Sequence, residues 1–179
     1  TKTLATLHKH NVFPKACVLD GNIHVMKAYQ EAGLKVQFCQ FHMMRIFTRY
    51  LTRKPNKEPN KELRMIGLMV NRIKHKDFEN IYFRWKIKHL SWLKEQYIDE
   101  DGKVRYRHEK TLALTHSIEQ FLPYLFTYED YPELNIPNTN NLIEGVHSAI
   151  KSKLSIHRGA KKELKTKIVF SFLSGRTGV

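Results

Sequence analysis

Two short apolar segments separated by one amphipathic helix set the narrowest limits on what this chain can fold into. Ala16-Cys17-Val18-Leu19 is a continuous apolar run of strand length, the pattern of a strand covered on both faces. Leu34 to Cys39 alternates, with Leu34, Val36 and Phe38 on one face, as a second strand does. Between them, His24 to Ala32 places Val25, Met26 and Tyr29 at helical spacing, and Gly33 suits the position just past a helix end. Strand, helix and strand in that order predict a parallel βαβ unit, because parallel neighbours need a crossover between them.

The chain beyond Cys39 reads mainly as helix, so the expected class is α/β with a mostly helical chain. A helix opens at His42 and runs through Met43, Ile46, Phe47, Tyr50 and Leu51, then a polar loop, residues 53–60, RKPNKEPN. Leu63, Ile66, Met69, Val70 and Ile73 continue the helical period. Asp77 is a candidate N-cap for a helix bearing Phe78, Ile81, Tyr82, Trp85, His89, Trp92 and Leu93. That aromatic stripe could stack nucleic-acid bases, but its helical spacing favours a core face. Residues 97–106 read as a hairpin around Asp101-Gly102, and a helix from His108 to Leu122 should stop before Pro123. Tyr124 to Pro137 is irregular. The expected organisation is residues 1–42 as strand, helix and strand, 43–136 as a helical insertion with the hairpin, and 137–179 as C-terminal helices. The first ten residues, TKTLATLHKH, read as the end of a helix broken at Phe13-Pro14, as though the chain began within a fold.

The third segment carries the most pointed pattern, Pro137 to Gly159. Asn138, Thr139, Asn140 and Asn141 are good cap residues ahead of a helix whose Leu142, Val146, Ala149, Ile150 and Leu154 share a face. Glu144, Ser148 and Lys151 fall on the opposite side. Arg158-Gly159 should end it, with the cation at the negative helix end. Asn141-x-x-Glu144 has the spacing of a capping box, so Glu144 is read either as a cap or as a functional carboxylate.

The net charge of +14 is unevenly spread. Residues 137–179 hold eight Lys or Arg against two acids, the most one-sided of the three segments. Such an excess favours a polyanion, nucleic acid first and an anionic membrane surface second. Lys151, Lys153, His157 and Arg158 form a candidate phosphate track; the alternative for each is a solvated helix face. No apolar run is long enough to cross a bilayer, and no signal peptide is evident. Two cysteines, Cys17 and Cys39, suit a reducing compartment and give no disulfide framework.

Asp20-Gly21 closes the first strand. An acid at the carboxyl end of a buried strand is where α/β folds place chemistry, and Asp-Gly is equally a common turn. Cys39-x-x-His42 has ligand-type residues, but a closed zinc site needs four ligands and no second pair is present; a buried Cys and an orienting His is the simpler reading.

In order and spacing, Val18-Leu19-Asp20-Gly21, Cys39-Gln40-Phe41-His42, Asn141-x-x-Glu144 with Lys151, and His157-Arg158-Gly159 resemble bacterial insertion-sequence transposases of the Mutator-like DDE superfamily. The resemblance spans nearly the whole chain. It implies a ribonuclease-H-like fold with an all-helical insertion before the Glu-bearing helix, and an Asp, Asp, Glu triad on Mg²⁺ (or Mn²⁺). Asp20 resembles the second Asp and Glu144 the Glu, both metal ligands, with Cys39, His42 and Asn141 as family signature. It further implies DNA as partner (transposon ends and target), a possible homo-oligomer, and a bacterial cytoplasmic, nucleoid-associated setting. The sequence departs from the family in one respect: no acid precedes Asp20, so the triad's first Asp has no counterpart. The expectation is a transposase C-terminal part with weak metal binding and little activity alone. Competing with it are a non-catalytic basic nucleic-acid-binding helical module and an interaction protein with an incidental basic surface.

Overall fold

The structure, a computed structural model, describes residues 2–177. The chain is mostly helical with a few small strands, and it divides into two compact units, residues 1–139 and 140–179.

In the first unit, helix α1 (Lys2–Lys9) precedes strand β1 (Ala16–Leu19), helix α2 (Ile23–Glu31) and strand β2 (Lys35–Phe38). The strands pair in parallel, Ala16 with Lys35 through Leu19 with Phe38. The Asn22 side chain caps α2, accepting from the amides of His24 at 3.1 Å and Val25 at 3.3 Å. Gly33 ends it at a φ of +87°.

Helices α3 (Gln40–Leu51), α4 (Glu58–Met69), α5 (His75–Lys88), the single turn α6 (Leu90–Leu93) and α7 (Glu109–Leu125) then build the body. Antiparallel strands β3 (Gln96–Ile98) and β4 (Val104–Tyr106) stand before α7, and the short α8 (Thr127–Asp130) and a 3₁₀ turn (Pro132–Leu134) come after it. One apolar core joins the βαβ segment to these helices: Met26, Val36 and Phe38 pack with Phe47, Leu63, Phe78, Tyr82, Leu114 and Ile118. Phe38 and Phe121 stack with centroids 4.3 Å apart. Phe78, Tyr82 and Trp85 on α5 and Leu93 on α6 are buried, so most of the expected aromatic stripe is core.

Three helix boundaries differ from the sequence reading. Asp77 lies inside the first turn of α5, whose N-cap is Lys74, and there it serves the positive helix end without capping it. Pro123 lies within α7. In a last turn it forfeits one amide bond, while Leu125 and Phe126 beyond it are buried and hold the helix in place. Helix α3 starts two residues before His42 because Cys39 provides the cap position.

The second unit is a helical hairpin, α9 (Asn141–Ile156) and α10 (Lys162–Thr177). Val146, Ala149, Ile150 and Leu154 are half-buried or less, but Leu142 is 84% exposed. Two helices offer each other one strip of contact, so half-burial is the most that strip provides.

Candidate active site and basic face

Asp20 is the residue at which β1 gives way to a turn, and three flanking positions fix it. Leu19 is held by the strand pairing, and its carbonyl accepts the Cys39 amide at 2.8 Å. Gly21 adopts a φ of +112°, where a side chain is rarely tolerated, and a Cβ there would come within 2.9 Å of the Phe38 ring. Asn22 is the cap of α2. The Asp20 carboxylate is thereby presented in solvent at the carboxyl end of a parallel strand.

The next strand end is fixed as firmly. Cys39 is a buried cysteine, outside any disulfide, at the N-cap of α3. The Gln40 amide donates to the Asn138 carbonyl at 2.9 Å, and the Asn138 side chain donates to Gln40 Oε1 at 3.0 Å. Gln40 Nε2 donates in turn to the Leu125 carbonyl at 3.2 Å. The segment that leads into the Asn-rich run therefore ends its course beside the carboxyl end of β2.

Asp20 borders a cleft of about 360 Å³ whose walls include His42, Arg45 and Arg49, together with Tyr50, Ser117 and Phe121. Residues 42, 45 and 49 recur at helical spacing along one face of α3. The Arg45 guanidinium lies 4.9 Å over the Phe41 ring. One carboxylate thus borders the same cleft as two guanidinium groups and an imidazole. The cations of such a cleft attract a phosphate, and the carboxylate offers a divalent metal ion a hard oxygen ligand beside them.

Among the described residues, no three His, Cys, Asp or Glu side chains gather into a group that could hold a metal ion. The donor type still fits Mg²⁺, which takes one or two carboxylates and fills its remaining positions with water and substrate phosphate. Cys39 and His42 belong to the same region but form no such group.

In the second unit, α9 begins at Asn141, with Asn140 at the N-cap. This moves Glu144 one position deeper than a capping box requires, since its partner Asn141 is already helical. Glu144 is half-buried in the first turn. Lys151, Lys153, His157 and Arg158 are all exposed. Lys153 lies 4.9 Å over the Phe172 ring, and the Arg158 carbonyl accepts Lys165 Nζ at 2.9 Å, so both help to close the hairpin.

Arg45 and Arg49 escape the sequence reading. A signal was available: two arginines four apart, the first of them three residues after His42, define a polar stripe opposite the apolar Met43, Phe47 and Leu51.

Comparison with protein-family models, with curated proteins and with solved structures gives no match.

Proposed function

We propose that this chain contributes Asp20 and Glu144 to a DDE-type site of ribonuclease-H-like descent, which cuts and joins DNA phosphodiesters. The single observation that supports this most is the setting of Asp20, a carboxylate held at a parallel strand end above a cleft lined by His42, Arg45 and Arg49. Family resemblance supplies the role of Glu144, and its half-burial in a helix first turn, outside the capping-box register, suits that role.

In this reading Asp20 and Glu144 would each offer a carboxylate to a divalent cation, which would supply polarisation of the scissile phosphate and a lowered pKa for the attacking water. The chain's own part is positioning. The guanidinium groups of Arg45 and Arg49 neutralise and orient the phosphate. On the second unit, the exposed Lys151 and Arg158 offer phosphate contacts of their own, which read no sequence.

Manganese binding to the full chain tests the proposal through a double-mutant cycle on Asp20→Asn and Glu144→Gln. Each change should weaken binding, and the double variant should lose much less than the summed losses, because both carboxylates act on one ion. Strictly additive effects, or none, would overturn the reading. The alternative, a basic nucleic-acid-binding module without chemistry, is favoured by the exposure of Lys151, Lys153, His157 and Arg158. It predicts salt-sensitive DNA binding that Asp20→Ala and Glu144→Ala leave unweakened, with no metal coupling between the two positions.

A further inference from the structure

A second cleft, of about 610 Å³, opens where the loop after α3 meets the β3–β4 hairpin and the start of α7. Tyr50 borders both this cleft and the one beside Asp20, so the two meet at the carboxyl-terminal turn of α3. Along this course stand Arg45, Arg49, Lys54 and Lys110. None of the four has an ion pair or a side-chain hydrogen bond among the described residues. Among the described residues that line the two clefts, the acids are Asp20 at one end and Glu109 at the other. Like-charged groups gathered without counter-ions mark a surface kept for an anion.

The second cleft is also built. His108 is buried in it, stacked on Trp92 with ring centroids 3.6 Å apart. Its Nε2 lies 3.0 Å from Glu95 Oε2 and its Nδ1 3.4 Å from Lys57 Nζ. The imidazole, its two partners and the indole fix the floor and hold one more cation at it. On the hairpin side, Tyr97 already carries the Arg107 guanidinium 5.7 Å over its ring. Tyr106 borders the same cleft and is 43% exposed, and its side chain has no ring or hydrogen-bond partner among the described residues.

We propose that these two clefts form one groove that binds single-stranded nucleic acid, with phosphates on Arg45, Arg49, Lys54 and Lys110 and an unpaired base on Tyr106. The strand must be single because a paired base hides its π-face within the stack, whereas an aromatic platform in a pocket of this size takes a base that has left it. Spacing agrees: Arg45 and Arg49 are four residues apart, about 6 Å along the axis, close to one nucleotide step of an extended strand. The inference rests on the DNA-binding part of the proposed function and not on its metal chemistry.

The test is fluorescence anisotropy of a labelled twelve-residue oligo(dT) on the full chain in EDTA, titrated with salt. The slope of log K against log salt should be about −3 for four phosphate contacts, and Arg45→Ala or Arg49→Ala should each flatten it by about 0.7. Tyr106→Ala should weaken binding by roughly five- to a hundred-fold, the range for one stacked base, and Tyr106→Phe should restore it. Lys76→Ala, an exposed cation on α5 away from the groove, should change nothing. Oligo(rU) should bind as oligo(dT) does, and a duplex of equal length should compete at least tenfold less well. A duplex that binds as well, or a Tyr106→Ala protein that binds as before, overturns the groove and leaves the metal reading standing. Additive manganese effects at Asp20 and Glu144 with groove binding intact overturn the metal reading alone.

Discussion

Gly21 stands against Phe38 so closely that a Cβ on the glycine would lie 2.9 Å from Cε2 of the ring and 3.6 Å from Cζ of Phe121. The Phe38–Phe121 stack is core and cannot retreat without opening a cavity. The φ of +112° adds strain for any side chain. Gly21→Ala should therefore destabilise the protein by about 2–4 kcal/mol. Urea unfolding measures this directly. Because Asp20 precedes the strained position, nucleic-acid binding by the folded variant should also change; an unchanged melting curve would show that the turn is soft.

Gln37 carries a second, less visible constraint. Its side-chain amide donates to the carbonyls of Phe38 at 2.7 Å and Leu125 at 2.8 Å, and its Oε1 accepts the Tyr128 amide at 3.0 Å. Thr127 adds a hydroxyl donated to the Val36 carbonyl at 2.8 Å. Between them they satisfy the outer edge of β2 and the last turn of α7, where a third strand would otherwise pair. Gln37→Leu keeps the volume but strands a buried carbonyl and an amide, and should cost about 2–3 kcal/mol. Thermal unfolding is the readout. A loss under about 0.5 kcal/mol, the ordinary scatter of surface changes, would mean that water replaces the bonds.

Acid should protonate Glu119 late, below the pH at which an ordinary glutamate gains its proton. Burial acts to raise its carboxyl, but hydrogen bonds from Lys86 and Tyr82 and the Lys86 charge outweigh this and hold it below the ordinary value. Tyr82 donates to it at 2.8 Å, and burial, with Glu119 beside it, pushes the Tyr82 hydroxyl well above its usual range. A carboxyl depressed in the folded state contributes stability above its unfolded pKa and loses that contribution as pH falls through the folded one. Glu119→Gln should thus be less stable than wild type at pH 7, and the two should converge as pH drops from about 4.5 downward. Urea midpoints across that range test the sign; a gap that widens in acid would refute it.

Local patterns of the sequence carried the elements, and what they missed was decided by contacts far along the chain. Ala16–Leu19 and Leu34–Phe38 read as strands because period and composition are local properties, and the parallel pairing is a consequence of the helix between them. The same alternation assigns Gln37 to the face opposite Val36 and Phe38, yet it is fully buried, because Leu125 and Tyr128, 88 and 91 residues later, cover that side. Asp20 was legible as a site candidate from its strand and its glycine. Its basic neighbours were not, since Arg45 and Arg49 gain meaning only when α3 lies beside the end of β1. Tyr106 and Lys54 are more than fifty residues apart in sequence, and no pattern within either segment announces a shared cleft.

Asp20 itself should oppose nucleic-acid binding until a cation joins it. It borders the same cleft as Arg45 and Arg49, so a phosphate seated on those arginines meets a negative carboxylate nearby. At an effective dielectric constant between those of water and the protein surface, a like charge at about 4 Å costs between about 1 and 4 kcal/mol. Asp20→Asn should accordingly tighten oligo(dT) binding several-fold in EDTA, even though it removes a residue assigned to the active centre. Magnesium should reverse the order: the wild-type carboxylate gains a cation that bridges to the phosphate, and the asparagine variant gains little. Anisotropy titrations of both proteins, with EDTA and with millimolar Mg²⁺, give four affinities whose ratio isolates the effect. If Asp20→Asn weakens binding in EDTA, the carboxylate does not face the strand, and its role as a metal ligand at a phosphate fails with it.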